Sequence, residues 1–185
     1  MDDKFIRFRK NPIYWFNKAS DLRAAAGAVW VAMLDRKPDP RLGLPAGFAM
    51  DIACPLCYRM LCGLALELCL NAIIVASARV PPRTHSLEKL SLLAKVQYDP
   101  PELALLRVLA DAVVWVGRYP LPNGGDESAR RRYDEANASA VSSLFDRSKM
   151  GTLDVRRPNN ALDWTGFKQL WERASQHYWQ LHRSG

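Results

Sequence analysis

Apolar residues run almost unbroken from Met60 to Ala78, MLCGLALELCLNAIIVASA, and two polar side chains, Glu67 and Asn71, interrupt the run at positions i and i+4. On a helix that spacing puts both on one face. The run approaches the roughly twenty residues that a bilayer-spanning helix needs. A carboxylate near its middle would cost several kcal/mol in lipid. No aromatic belt brackets the run and no second span accompanies it, so it is read as a central helix, buried on most sides by other helices, with no membrane partner.

Helical periodicity continues on both sides of this run. Asn11 can cap a first helix with Pro12 at its first position, and Trp15, Ala19, Leu22, Ala26, Val29 and Met33 form a 3-4 stripe that ends near Asp35. Prolines and glycines between Lys37 and Gly47 predict a loop, after which Asp51 or Cys54 caps the central helix, with Pro55 in its first turn. Pro81-Pro82 ends that helix, since proline cannot donate to the ladder. Thr84 is the predicted N-cap of a short helix from His85 to about Val96. Asp99-Pro100-Pro101-Glu102 opens the next, with Leu105, Leu109, Ala112, Val116 and Tyr119 in register and Pro120 as its stop. A polar helix is predicted from Asp126 to about Met150, then irregular chain from Gly151 to Asn160. A closing aromatic helix runs from Leu162 to Leu181, with Trp164, Phe167, Trp171, Ala174, Tyr178 and Leu181 on one stripe.

No alternating run is long enough to predict a sheet. The fold class is therefore all-α, and short connections favour an antiparallel up-down bundle of four principal helices with additional helices. A chain of 185 residues with 49% apolar composition is expected to form a single domain over 1–185.

Charge adds a preference for anionic partners: 26 Lys and Arg against 19 Asp and Glu give +7. The N-terminus, MDDKFIRFRK, has no apolar segment of the secretory kind, so a cytoplasmic location is expected. In a reducing compartment Cys54, Cys57, Cys62 and Cys69 remain thiols. Cys54-Pro55-Leu56-Cys57 fits C-x-x-C, but Cys62 and Cys69 project from the apolar helix and give no second ligand pair, so small buried hydrophobes are the better reading and no metal or cofactor is expected. The chain also lacks a phosphate-binding loop, since Gly124-Gly125 is not followed by Lys-Ser/Thr, and it has no nucleophile elbow and no H-E-x-x-H helix.

Three pieces stand in order along the chain: the helix Ala65 to Ile74 with Glu67 and Asn71, the helix start Thr84-His85-Ser86-Leu87-Glu88-Lys89-Leu90, and the helix end Arg118-Tyr119-Pro120. In this order they resemble the HEPN domain family, and Pro12-Ile13-Tyr14-Trp15 with Ala19 to Leu22 resembles its usual first helix. The resemblance covers about residues 10 to 122. Ser86 stands where the family often has Asp and Asn71 where it often has Lys, and residues 126–185 form a helical extension beyond the match.

The resemblance implies a helical bundle, usually homodimeric, that binds nucleotides or RNA, often beside a nucleotidyltransferase partner. It places a nucleotide or phosphate in a basic groove bordered by His85, Lys89 and Arg118, with Arg83 and Tyr119 near it. Some members are ribonucleases built on R-x4-6-H, a chemistry that needs a histidine near neutral pKa and an arginine within reach of the phosphate. Arg79 to His85 matches formally, but its interior, Val80-Pro81-Pro82-Arg83-Thr84, is a break between helices. Arg173 to His177 is one residue too short. The favoured expectation is thus a non-catalytic binding protein, with a metal-independent ribonuclease of the toxin-antitoxin type and a structural partner of a nucleotidyltransferase as alternatives. The plainer readings stay beside these. Glu67 and Asn71 can bond to each other and to a neighbouring helix, with Arg59, Arg107 or Arg118 as donor to the carboxylate. His85 can close a turn, Arg118 suits any helix C-terminus, and Arg130-Arg131-Arg132 spans most of a turn and so forms a solvated face.

Overall fold

The computed structural model describes residues 3–35, 38–116, 144–150 and 153–183. These are mostly helical. Helix α1 spans Asp3–Lys10 and α2 spans Pro12–Leu34; a 3-10 turn at Pro40–Leu42 and the short α3 (Met50–Ala53) lead to α4 (Pro55–Ala76). Next come α5 (Leu87–Ala94), α6 (Pro100–Asp111) and a π turn over Ala112–Val116. A two-stranded antiparallel hairpin, β1 (Phe145–Met150) and β2 (Leu153–Pro158), and the closing α7 (Trp164–Arg183) complete the described chain.

Local chemistry sets most of these boundaries. Asn11 caps α2, its side chain accepting the Ile13 N–H at 3.1 Å, with Pro12 in the first turn. Asp99 and Glu102 form a reciprocal capping box on α6, at 2.8 and 2.9 Å. Asp163 starts α7 by accepting the Gly166 N–H at 2.8 Å. Pro55 opens α4, as its fixed φ and missing N–H suit a first turn.

The apolar run is the spine. Helix α4 packs against α2, α5, α6, the π turn and α7, and Cys62, Ala65, Leu66, Cys69, Leu70, Ala72 and Ile73 are fully buried along it. It is long and apolar enough to cross a membrane, yet 67% of its apolar window lies inside the protein. Each buried Leu or Ile contributes about 1.5–3 kcal/mol, and the apolar pattern is consumed by helix-helix contact. Gly63 lets α4 approach α6 and the π turn closely: a Cβ there would lie 2.6 Å from the Leu109 carbonyl oxygen and 2.6 Å from Val113 Cγ2. The α7 stripe closes the core with Phe167, Leu170, Trp171, Ala174 and Tyr178, and Tyr178 stacks on Phe16 of α2 at 4.1 Å between ring centroids.

Several predicted boundaries move. The N-cap of α5 is Ser86, whose Oγ accepts the Lys89 N–H, while Thr84 Oγ1 instead accepts the Ser86 N–H at 3.1 Å. A hydroxyl two residues later takes the capping role, and His85 is left outside the helix. The α-helical ladder of α6 stops at Asp111 and widens into the π turn, where a continuous helix to Tyr119 was predicted; nothing in the residue types of that turn requires the change.

Phe145–Met150 is a strand and not the end of a polar helix, and Leu153–Pro158 is its partner and not irregular chain. The segment FDRSKM has no 3-4 apolar stripe to hold a helix on the core. The register partners Asp146 with Arg157 and Lys149 with Asp154. The predicted polar helix up to residue 143, Arg130-Arg131-Arg132 and the helix end Arg118-Tyr119-Pro120 lie outside the described residues.

Candidate functional site

A cavity of about 970 Å³ opens where α1, α2, α4 and the α4–α5 connection meet. Each wall has a local cause. The floor is α4, where the i, i+4 spacing brings Glu67 and Asn71 to one face. The far wall is the connection itself. Helix α4 ends in a Schellman turn, with the Arg79 N–H bonding the Ile74 carbonyl at 3.1 Å, the Ala78 N–H bonding the Val75 carbonyl at 2.9 Å, and Ala78 at φ +56°. Val80, Pro81 and Pro82 then hold the chain extended past the cavity mouth until Thr84 and His85. The Arg79 guanidinium donates to the Leu93 carbonyl, which ties this connection to α5. The near wall comes from the first two helices: Arg9 and Lys10 at the end of α1, and Pro12 and Trp15 at the start of α2, whose indole N–H donates to the Arg9 carbonyl at 3.0 Å.

The electrostatics divide the cavity into an inner and an outer part. Arg9, Lys10, Arg79 and Arg83 are exposed around it, and Glu67 is the one carboxylate among its described lining residues. The Glu67 side chain is only 12% exposed and meets the His85 ring, Oε2 to Nδ1 at 2.9 Å. With a carboxylate accepting at Nδ1, the ring is held with Nδ1 protonated and Nε2 directed elsewhere. Asn71 is 4% exposed, and its Oδ1 is buried without a hydrogen-bond partner. Buried polar atoms are nearly always paired, and an orphan costs about 1–3 kcal/mol. Four cations on one cavity suit a ligand with an anionic end.

A second cavity of about 330 Å³ lies on the other side of the same turn, sharing Thr84 and His85 and bounded by Glu88, Arg107 and Asp111. Arg107 is bound to Glu88 at 2.7 Å. Burial lifts the Asp111 carboxyl above the ordinary carboxylate range.

The sequence-predicted residues divide accordingly. Glu67, Asn71, Arg83 and His85 come together on the large cavity. Lys89 does not line it: it sits in the first turn of α5, outside the lining residues. Arg118 and Tyr119 lie outside the described residues. Neither Arg59 nor Arg107 is the partner of Glu67; the donor is His85, brought back across the connection. Arg173 is engaged elsewhere, with Glu102 at 2.9 Å and the Gln97 carbonyl at 3.2 Å, which holds α7 to α6.

Sequence reasoning did not assign Trp15, Arg9 or Lys10 to the site. Their signal was present in the short Lys10-Asn11-Pro12 junction, which turns α1 back beside the first turn of α2. Arg79 and His85, separated in the sequence by a helix break, face the same space. Comparison with protein-family models, with curated proteins and with solved structures gives no match to this chain.

Proposed function

We propose that this chain is a HEPN-like, non-catalytic nucleotide- or RNA-binding protein, a four-helix bundle built on α2, α4, α6 and α7 that works as a homodimer and holds a phosphate-bearing ligand in the large cavity. The observation that carries the reading is the ring of Arg9, Lys10, Arg79 and Arg83 around a cavity of about 970 Å³, within the size range of small-molecule sites. Guanidinium groups pair with phosphate in bidentate fashion, and Trp15 lines the cavity beside them. Glu67, Asn71 and His85, two of the three motifs of the resemblance, line the same cavity. Dimerisation comes from that resemblance and is tested by light scattering on the purified chain.

Titration of the protein with fluorescent ADP and with a short single-stranded RNA, at low and high salt, tests the reading. Saturable binding that weakens with salt is expected, and Arg83→Ala and Lys10→Ala are expected to weaken it about threefold to tenfold each. Absence of saturable binding of either probe would overturn it.

A second reading has a specific observation in its favour. The carboxylate of Glu67 orients His85 as it would a general base, and two arginines of the α4–α5 connection line the same cavity. On that reading the protein is a metal-independent ribonuclease. Cleavage of total RNA in the presence of chelator, abolished by His85→Ala and reduced by Glu67→Gln, would replace the binding reading with this one; intact RNA removes it.

A further inference from the structure

We infer that Cys54 and Cys57 form a redox-active dithiol at the start of α4, which closes to an intramolecular disulfide by exchange with a peptide disulfide of the glutathione class. The pair lies at the opposite end of α4 from the cavity, and the inference stands apart from the nucleotide-binding reading.

The four cysteines, all free thiols, divide by their surroundings. Cys62 and Cys69 are fully buried, as the sequence predicts of small hydrophobes, and desolvation pushes both thiols up. Cys57 is exposed and Cys54 half-buried, so that reading does not extend to them. Cys54 is the residue between α3 and α4: its N–H bonds the Met50 carbonyl at 3.0 Å, and its carbonyl accepts the Tyr58 N–H at 2.8 Å. The second of these bonds closes the first turn of α4. Residues three apart on such a turn hold their Cβ atoms about 5–6 Å apart, and a disulfide needs about 3.5–4.5 Å. The gap is closed by a small backbone turn at Cys54, whose N–H is held only by the one-turn helix α3 and whose side chain makes no capping hydrogen bond. A bond closed over so short a loop at the surface is of the exposed, easily reduced kind.

Exposure sets the order of events. Cys57 meets the incoming disulfide: its thiolate attacks one sulfur, the external S–S bond breaks, and the departing thiolate takes up a proton in place of the one Cys57 gave up. Cys54 then gives up its proton and attacks the Cys57 sulfur. The mixed disulfide breaks, and the second external thiol departs protonated. Two protein thiols are oxidised to a disulfide and one external disulfide is reduced to two thiols, with no proton or electron left over. Burial first, and the neighbouring Cys57 thiolate second, raise the Cys54 pKa. The second cause vanishes once Cys57 is in the mixed disulfide, so Cys54 ionises more readily at the step that needs it.

The test is equilibration of the full chain in glutathione buffers of graded redox ratio, followed by acid quenching and peptide mass mapping without reductant. The expected product is a Cys54–Cys57 disulfide within one chain, lighter by two hydrogens and reversed by dithiothreitol, with Cys62 and Cys69 still thiols. Cys54→Ser should stop at a glutathione adduct on Cys57 that lasts at least about tenfold longer than in the wild type, and Cys57→Ser should leave Cys54 a thiol. A wild-type protein that ends as a stable adduct on Cys57, as two chains linked by a disulfide, or as unreacted thiols would overturn the inference while leaving nucleotide binding untouched. The wild-type map needs no variant, so a folding defect in either serine variant leaves the result decisive.

Discussion

Replacing Asn71 by leucine should make the unliganded protein more stable. The side chain is 4% exposed within the best-packed stretch of α4, and its Oδ1 has no partner. Removing an unsatisfied buried acceptor returns about 1–3 kcal/mol. Leucine has the same branched outline and adds apolar contact of about 1 kcal/mol. Its slightly larger volume in a packed wall takes back a similar amount. The net expectation is a gain of about 1–3 kcal/mol, which for a 185-residue chain raises Tm by about 3–9 °C. Urea denaturation followed by circular dichroism, with a thermal melt as a second probe, measures it. Asn71→Ala serves as control, since it removes the amide without adding bulk, and the open cavity spares it a sealed void. If both variants lose about 1 kcal/mol or more, the amide is hydrogen-bonded in the free protein and its oxygen is no orphan.

Gly63→Ala should destabilise by about 1–3 kcal/mol, because its Cβ would press on the Leu109 carbonyl and Val113 at 2.6 Å; chemical denaturation measures this. Ala78→Gly should stabilise by about 0.5–1 kcal/mol, since φ +56° in the Schellman turn suits glycine better than alanine. Asp111→Asn should raise Tm at pH 7. Burial lifts the folded-state pKa of Asp111 above its unfolded value, so ionisation costs stability once pH exceeds both values. The advantage of the variant should therefore shrink as pH falls through the carboxylate range and vanish below about pH 4. Iodoacetamide should modify exposed Cys57 first, whereas Cys62 and Cys69, buried and with thiols pushed up by desolvation, should react only after unfolding, as peptide mass mapping will report.

Local signals carried the helices, and tertiary contacts carried the site. Asn11-Pro12, Cys54-Pro55 and Asp99-Pro100-Pro101-Glu102 are self-contained start signals: Asn11 and Asp99 cap with neighbours within a few residues and Pro55 opens α4 by its fixed φ alone, so α2, α4 and α6 begin where the sequence predicts. The i, i+4 pair Glu67 and Asn71 was equally legible as a shared face. Their partners were not. His85 reaches Glu67 across a turn whose path is set by Ala78 in the left-handed region and by Pro81-Pro82, and no pattern of side-chain periodicity reports such a path. Arg9 and Lys10 reach the cavity because α1 folds back on α2, a junction of one residue whose direction periodicity does not encode. The β1–β2 hairpin escaped because its residues are charged and short of β-branched types. Its pairing depends on cross-strand register, a long-range property.

The most direct test of the cavity as a nucleotide site is a two-dimensional amide NMR spectrum of the labelled protein during addition of AMP. The Trp15 indole N–H and the Asn71 side-chain amide are expected to shift together and to saturate at one common concentration, with backbone changes confined to the residues around Arg79 to His85. Unchanged Trp15 and Asn71 signals at saturating AMP, or shifts centred instead on the Arg173 and His177 face of α7, would contradict it.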